Sequence, residues 1–142
     1  MAAAAHTFAH QTIEVDWIAG SEFDAHRPDG PRIRIDGDAK SGPGPFDVLL
    51  AALATCAATD VVSILQKQRT PVTALRVSVA AQRVETTPRH LVSAVLHFRI
   101  TAPGATQAKV ARAVELSVTK YCSVRSSLRT DVPVTWTIEL DS

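Results

Sequence analysis

Two cysteines, Cys56 and Cys122, stand 66 residues apart in this chain and are its only thiols. Two are too few for a zinc ribbon or a secreted disulfide framework, and are the number a redox pair needs. In such a pair one thiolate attacks a peroxide oxygen and becomes a sulfenic acid, and the second thiol condenses with it to a disulfide. That requires Cα atoms roughly 4.4–6.8 Å apart, which spacing in the sequence does not reveal. Taken alone, Cys56 reads as packing. It falls in an apolar stretch with Ala52, Leu53, Thr59, Asp60 and Ser63 on its helix face, and apolar burial raises a thiol pKa. Cys122 follows Tyr121 where a helix ends or restarts. A helix beginning there would lower its pKa, so local chemistry alone makes Cys122 the more activated thiol.

Few other side chains are placed for chemistry. Asp60, one turn after Cys56, has two readings: a carboxylate that holds an arginine or a water near the thiol, or an ordinary hydrogen-bonded helix residue. His6 and His10 have a metal-compatible spacing but no third ligand, so no metal site is expected. His97 alternates with the apolar face of a strand and faces away from it, His26 reads as a loop residue, and His90 lies in a hairpin connection. None has a partner that places it in a catalytic triad. Trp17 and Trp136 read as core or interface anchors.

The elements that must position these groups follow from periodicity. Ile13, Val15 and Trp17 alternate with polar residues as a half-buried strand does, Gly20-Ser21 turns the chain, and Arg32 to Asp36 alternates again after Pro28-Asp29-Gly30-Pro31. An N-terminal antiparallel hairpin or meander is expected. Pro45 suits the first position of a helix and Asp47 its first turn, where the N-terminus favours a carboxylate. The helix runs unbroken to about Gln68 and is apolar nearly all round. Such helices lie in the middle of a protein or between two chains. Val77, Val79 and Ala81, then Val92, Ala94, Leu96, Phe98 and Ile100, mark two strands of a hairpin closed through Thr86-Thr87-Pro88. Val110, Ala113, Val114, Ser117, Val118 and Tyr121 recur at helical spacing, Cys122 to Leu128 either continues that helix or forms a short further one, and Val132 to Leu140 alternates as a last strand. The order β-β-α-β-β-α-β is that of an α+β chain with antiparallel sheets rather than parallel βαβ units.

At 142 residues, with 46% hydrophobic and 20% charged residues, the chain reads as one folded domain over 1–142 with a flexible start over 1–11. A formal charge of +1 gives no footprint for nucleic acid or an anionic membrane. The opening Met1-Ala2-Ala3-Ala4-Ala5 lacks a basic region and is not a signal peptide. Val48 to Leu65 is apolar but holds Asp60, so a core helix is expected rather than a membrane span. A cytoplasmic protein with reduced thiols follows.

At the cysteines the sequence resembles the OsmC/Ohr family of thiol-dependent hydroperoxide reductases. The carrying segments are Gly44-Pro45-Phe46-Asp47-Val48-Leu49-Leu50-Ala51-Ala52-Leu53-Ala54-Thr55-Cys56 and Lys120-Tyr121-Cys122-Ser123-Val124. The YhfA-like branch is closer still, through Asp60 to Lys67, Leu96-His97-Phe98 and Val110 to Val114. The resemblance covers about Ile13 to Leu140. It implies an OsmC-like fold with sheets packed around two central helices in an intertwined homodimer, and an active site at the dimer interface. It implies Cys56 as the peroxidatic and Cys122 as the resolving cysteine, organic hydroperoxides as substrates, a dithiol reductant such as a lipoyl protein, and no metal or organic cofactor. The sequence departs from the family pattern twice. Where a glutamate follows the helix-opening proline, this chain has Phe46. Asp47, the next residue, points about 180° away from Cys56 around a helix and is expected to serve the helix N-terminus. The family's N-terminal arginine also has no counterpart before Arg27. Arg34, on the strand before the helix loop, is the preferred substitute over Arg32, against the plainer reading of a solvated strand face. The alternative to a peroxidase is the same fold binding a lipophilic small molecule at a dimer interface, or acting as a redox sensor.

Overall fold

A computed structural model describes residues 6–141. The readings of the first five residues as part of a flexible terminus and not a signal peptide lie outside the described residues. Residues 6–13 form no helix or strand. The chain divides into two compact units, residues 1–48 and 49–142.

The N-terminal unit is an antiparallel meander of β1 (Glu14–Ala19), β2 (Glu22–His26) and β3 (Arg32–Asp36). Gly20, at φ 53°, takes the left-handed conformation that the β1–β2 turn needs. The registers Val15↔Ala25↔Ile33 and Trp17↔Phe23↔Ile35 gather six apolar residues on one face. The other face is charged. His26 and Arg32 both engage Asp16, and Arg34 engages Asp24 and Glu22. Two expectations are corrected here. His26 is not in a loop but ends β2, buried against its sheet. β1 is not half-buried: all six of its residues are exposed, with Val15 at 57% and Trp17 at 66%, so the apolar face of this sheet is uncovered along β1, while Ala25 on the same face is buried. At the sheet's end the Asp36 carboxylate accepts hydrogen bonds from the Ser21 hydroxyl and from the N–H groups of Ser41, Asp38 and Lys40. These hold its pKa well below the usual carboxylate range.

Helix α1 (Pro45–Lys67) opens on the expected proline, and Asp47 accepts the Gly44 N–H at 2.8 Å, serving the helix N-terminus. The helix is long and apolar enough to cross a bilayer. Leu53, Ala57, Val61 and Leu65, each at most 1% exposed, repeat every fourth residue on one stripe, and that stripe packs into a protein core.

The C-terminal unit continues with β4 (Ala74–Arg83), β5 (Leu91–Thr101), α2 (Gln107–Leu116), a π-helical turn (Ser117–Tyr121), α3 (Ser123–Ser126) and β6 (Val134–Asp141). β4 and β5 pair antiparallel as expected. β5 and β6 pair parallel, which corrects the expectation of antiparallel sheets throughout. The chain between them carries α2 and is long enough for the crossover that a parallel pair needs. An irregularity between Gln82 and Arg83 brings Leu91 rather than Val92 to the buried face. From Ala94 onward the alternation holds, and Leu96, Phe98 and Ile100 are fully buried. Each such side chain contributes about 2 kcal/mol. Thr106 caps α2 by accepting the Lys109 N–H. Val110, Ala113, Val114, Ser117 and Val118 are buried at the expected spacing, while Tyr121 is half exposed.

Candidate functional site

The site is built where the π-helical turn gives way to α3. The turn ends at Tyr121, and Cys122, with an extended backbone (ψ 102°), starts a new short helix rather than continuing the old one. As the N-cap of α3, Cys122 accepts the Arg125 N–H on its sulfur at 3.3 Å. Its side chain is 4% exposed, and its sulfur lies 4.0 Å from the Leu53 carbonyl of α1. Cys56 is on α1, half-buried, with its sulfur 3.6 Å from the Ser123 hydroxyl. Both cysteines are free thiols, and each shifts the other's pKa. Residues 66 positions apart in sequence are thus brought into one neighbourhood, Cys56 against Ser123 and Cys122 against the turn of α1 before Cys56.

Their electrostatics differ in sign. Burial pushes the Cys56 thiol up. Hydrogen bonds from the Val124 N–H, the Ser123 hydroxyl, the Cys122 thiol and the Ser123 N–H together outweigh that, so its pKa lies below the ordinary thiol value. Burial also pushes Cys122 up. The Arg125 N–H opposes this, but donation to Cys56 favours the protonated form, and its pKa lies above the ordinary value. The local expectation is therefore reversed: Cys56 is the activated thiol and Cys122 the suppressed one. A short helix does begin at Cys122, but its next two residues aim their donors at Cys56. The arrangement is chemically asymmetric, with one thiol shifted down in pKa and its neighbour shifted up.

The remaining candidates fall as follows. Asp60 is a half-exposed residue of α1 with no ion pair among the described residues. Asp47 is committed to Gly44. Arg34 donates at 2.6 Å to both Asp24 and Glu22 within the N-terminal sheet. Phe46 occupies the first turn of α1. Sequence reasoning gave no role to Ser123 and Val124, although both lie in the segment that carried the resemblance. The signal was there in the residues after Cys122, but only the fold turns them toward a thiol on another helix. His97 faces away from the core as expected, bonded to Thr137. Trp136 packs on the core, and Trp17 is exposed and donates to the Gly20 carbonyl.

A family model described as OsmC-like protein matches residues 37–137. The chain is 39% identical over 127 residues to Protein YhfA of Escherichia coli (strain K12), covering 89% of this chain and 95% of that one. Among solved structures it is similar to an OsmC-like protein from Mycoplasma pneumoniae, with a TM-score of 0.80 at 19% identity over 96% of this chain and all of that one. It also shares its fold with the organic hydroperoxide resistance protein OhrB of Bacillus subtilis, with a TM-score of 0.60 at 15% identity, over 90% and 98% of the two chains.

Proposed function

The chain belongs to the OsmC-like family, and on that premise we propose that it reduces organic hydroperoxides with its two cysteines. The observation that carries the reading is the placement of Cys56 against Ser123, the residue after Cys122, with the Cys56 pKa lowered and the Cys122 pKa raised. The Cys56 thiolate attacks the terminal peroxide oxygen. The O–O bond breaks, the alkoxide leaves and takes up a proton as the alcohol, and Cys56 becomes a sulfenic acid. The Cys122 sulfur then attacks the Cys56 sulfur. The S–O bond breaks, hydroxide leaves with the Cys122 proton as water, and a Cys56–Cys122 disulfide remains. An external dithiol returns two electrons and two protons and is itself oxidised to a disulfide. The scheme uses no metal or organic cofactor.

Stabilisation of the thiolate falls to Ser123 and Val124, whose N–H groups and hydroxyl already point at Cys56. Arg34 is engaged by its own sheet, Asp47 by a helix terminus, and the scheme assigns neither a step; Asp60 is likewise left outside it. The reading includes a homodimer, supported by the exposed Val15, Trp17 and Ile33 of the N-terminal sheet, and a cytoplasmic setting that keeps both thiols reduced at rest.

Turnover of an alkyl hydroperoxide under excess dihydrolipoamide tests the proposal. Wild-type protein is expected to consume peroxide catalytically and Cys56→Ser to consume none. Cys122→Ser is expected to stop after one equivalent with a trappable sulfenic acid on Cys56. No consumption by the wild type, or undiminished consumption by Cys56→Ser, would overturn it.

A further inference from the structure

Beside the thiol pair lies a pocket of about 380 Å³ that Cys122 lines and Cys56 does not. Val118 and Leu128 supply apolar wall, and Lys120 and Arg125 both line it, with no Asp or Glu among the lining residues. Neither cation has an ion pair among the described residues. The Arg125 guanidinium is held in place by the Arg129 and Val132 carbonyls, at 3.3 and 2.8 Å, which fix its position without neutralising it. The Lys120 ammonium stands 5.4 Å from the centre of the Tyr121 ring. Two uncompensated positive charges over an apolar wall fit a small amphipathic molecule with a hydrocarbon body and an anionic end.

We propose that this pocket receives the dithiol reductant of the proposed reaction by an anionic end, and that attack on the disulfide falls on the Cys122 sulfur. The inference rests on the disulfide formed in the proposed reaction. A reductant thiolate in the pocket meets Cys122 and not Cys56. Its sulfur bonds to the Cys122 sulfur, the Cys56–Cys122 bond breaks, and Cys56 leaves as a thiolate into the hydrogen bonds of Ser123 and Val124. Thiol–disulfide exchange is faster when the sulfur that leaves is the more acidic one, which is the order this geometry imposes. The second thiol of the reductant then attacks its own sulfur in the mixed disulfide. Cys122 departs and is protonated, and the reductant closes to a cyclic disulfide.

The test uses protein oxidised by a chemical thiol oxidant rather than by a hydroperoxide, so that it stands apart from peroxidase activity. Dihydrolipoate and dihydrolipoamide carry the same dithiol and differ in whether the tail ends in a carboxylate or a neutral amide. The oxidised protein is expected to be reduced about fivefold faster by dihydrolipoate at low salt, an advantage that fades at about 0.5 M salt. Lys120→Gln, a change at an exposed position, should shrink the preference and Lys120→Glu should abolish it. An anionic monothiol should leave its mixed disulfide on Cys122, as read by peptide mapping. Equal rates for the two dithiols, a preference indifferent to Lys120, or an adduct on Cys56 would overturn the inference while leaving the peroxidase reading intact. Failure of any disulfide to form would overturn both.

Discussion

The proposed division of labour between the two sulfurs rests on three donors around Cys56. The Ser123 hydroxyl lies 3.6 Å from the Cys56 sulfur, and together with the amides of Ser123 and Val124 and the Cys122 thiol it lowers the Cys56 pKa against the cost of burial. A thiol of lowered pKa carries more thiolate at any pH below its ordinary value, so Cys56 should alkylate with iodoacetamide at lower pH than Cys122. Mass spectrometry after a pH-stepped alkylation measures this, and coincident profiles would refute it. Ser123→Ala removes one donor and should slow Cys56 alkylation at neutral pH several-fold while leaving Cys122 unchanged. None of this was legible at Cys56 itself. Its sequence neighbours are apolar and read as packing, and its activating donors belong to residues 67 and 68 positions further on. The motif around Cys122 was visible, but its helix-starting geometry pointed to a lowered pKa at Cys122, where the structure lowers that of Cys56.

Each element carries its own test. The six apolar residues of the N-terminal sheet share a face because β2 sets the register between β1 and β3. β2 escaped sequence reading because only Phe23 and Ala25 are apolar between its charged residues, whereas α1, with its proline start and four-residue stripe, was legible from Pro45 to its end. The parallel β5–β6 pair was hidden too, since alternation reveals a strand but not its direction. Asp36 ties the end of β3 to the Ser21 turn and the 38–41 loop. Its carboxylate has a depressed pKa in the folded state, so its stabilising contribution is complete above the unfolded carboxylate value and is lost as pH falls below it. Thermal melts from about pH 6 down to about pH 3 should show wild-type stability falling, and Asp36→Asn should start lower and fall less steeply. In the other unit Phe98 is fully buried in the core, and Phe98→Ala should cost about 4 kcal/mol in urea unfolding.

At the scale of the whole molecule, Val15, Trp17 and Ile33 leave an apolar surface that a monomer would expose to water. The proposed homodimer covers such a surface. Light scattering at micromolar concentration should give twice the chain mass of 15.2 kDa, and Trp17→Glu should shift the equilibrium toward the single chain. A single-chain mass for the wild type would remove the dimer from the account. The α+β class was readable because long periodic segments dominate the chain. The pairing of the thiols was not, because it depends on packing the end of the π-helical turn against α1, a contact that no local pattern encodes.

The most direct measurement is intact mass with free-thiol titration of the reduced protein, before and after one equivalent of an alkyl hydroperoxide. Rapid loss of both thiols and of two hydrogen masses is expected, abolished in Cys56→Ser. Both thiols intact after many minutes would contradict the claim that Cys56 and Cys122 form a peroxidatic pair.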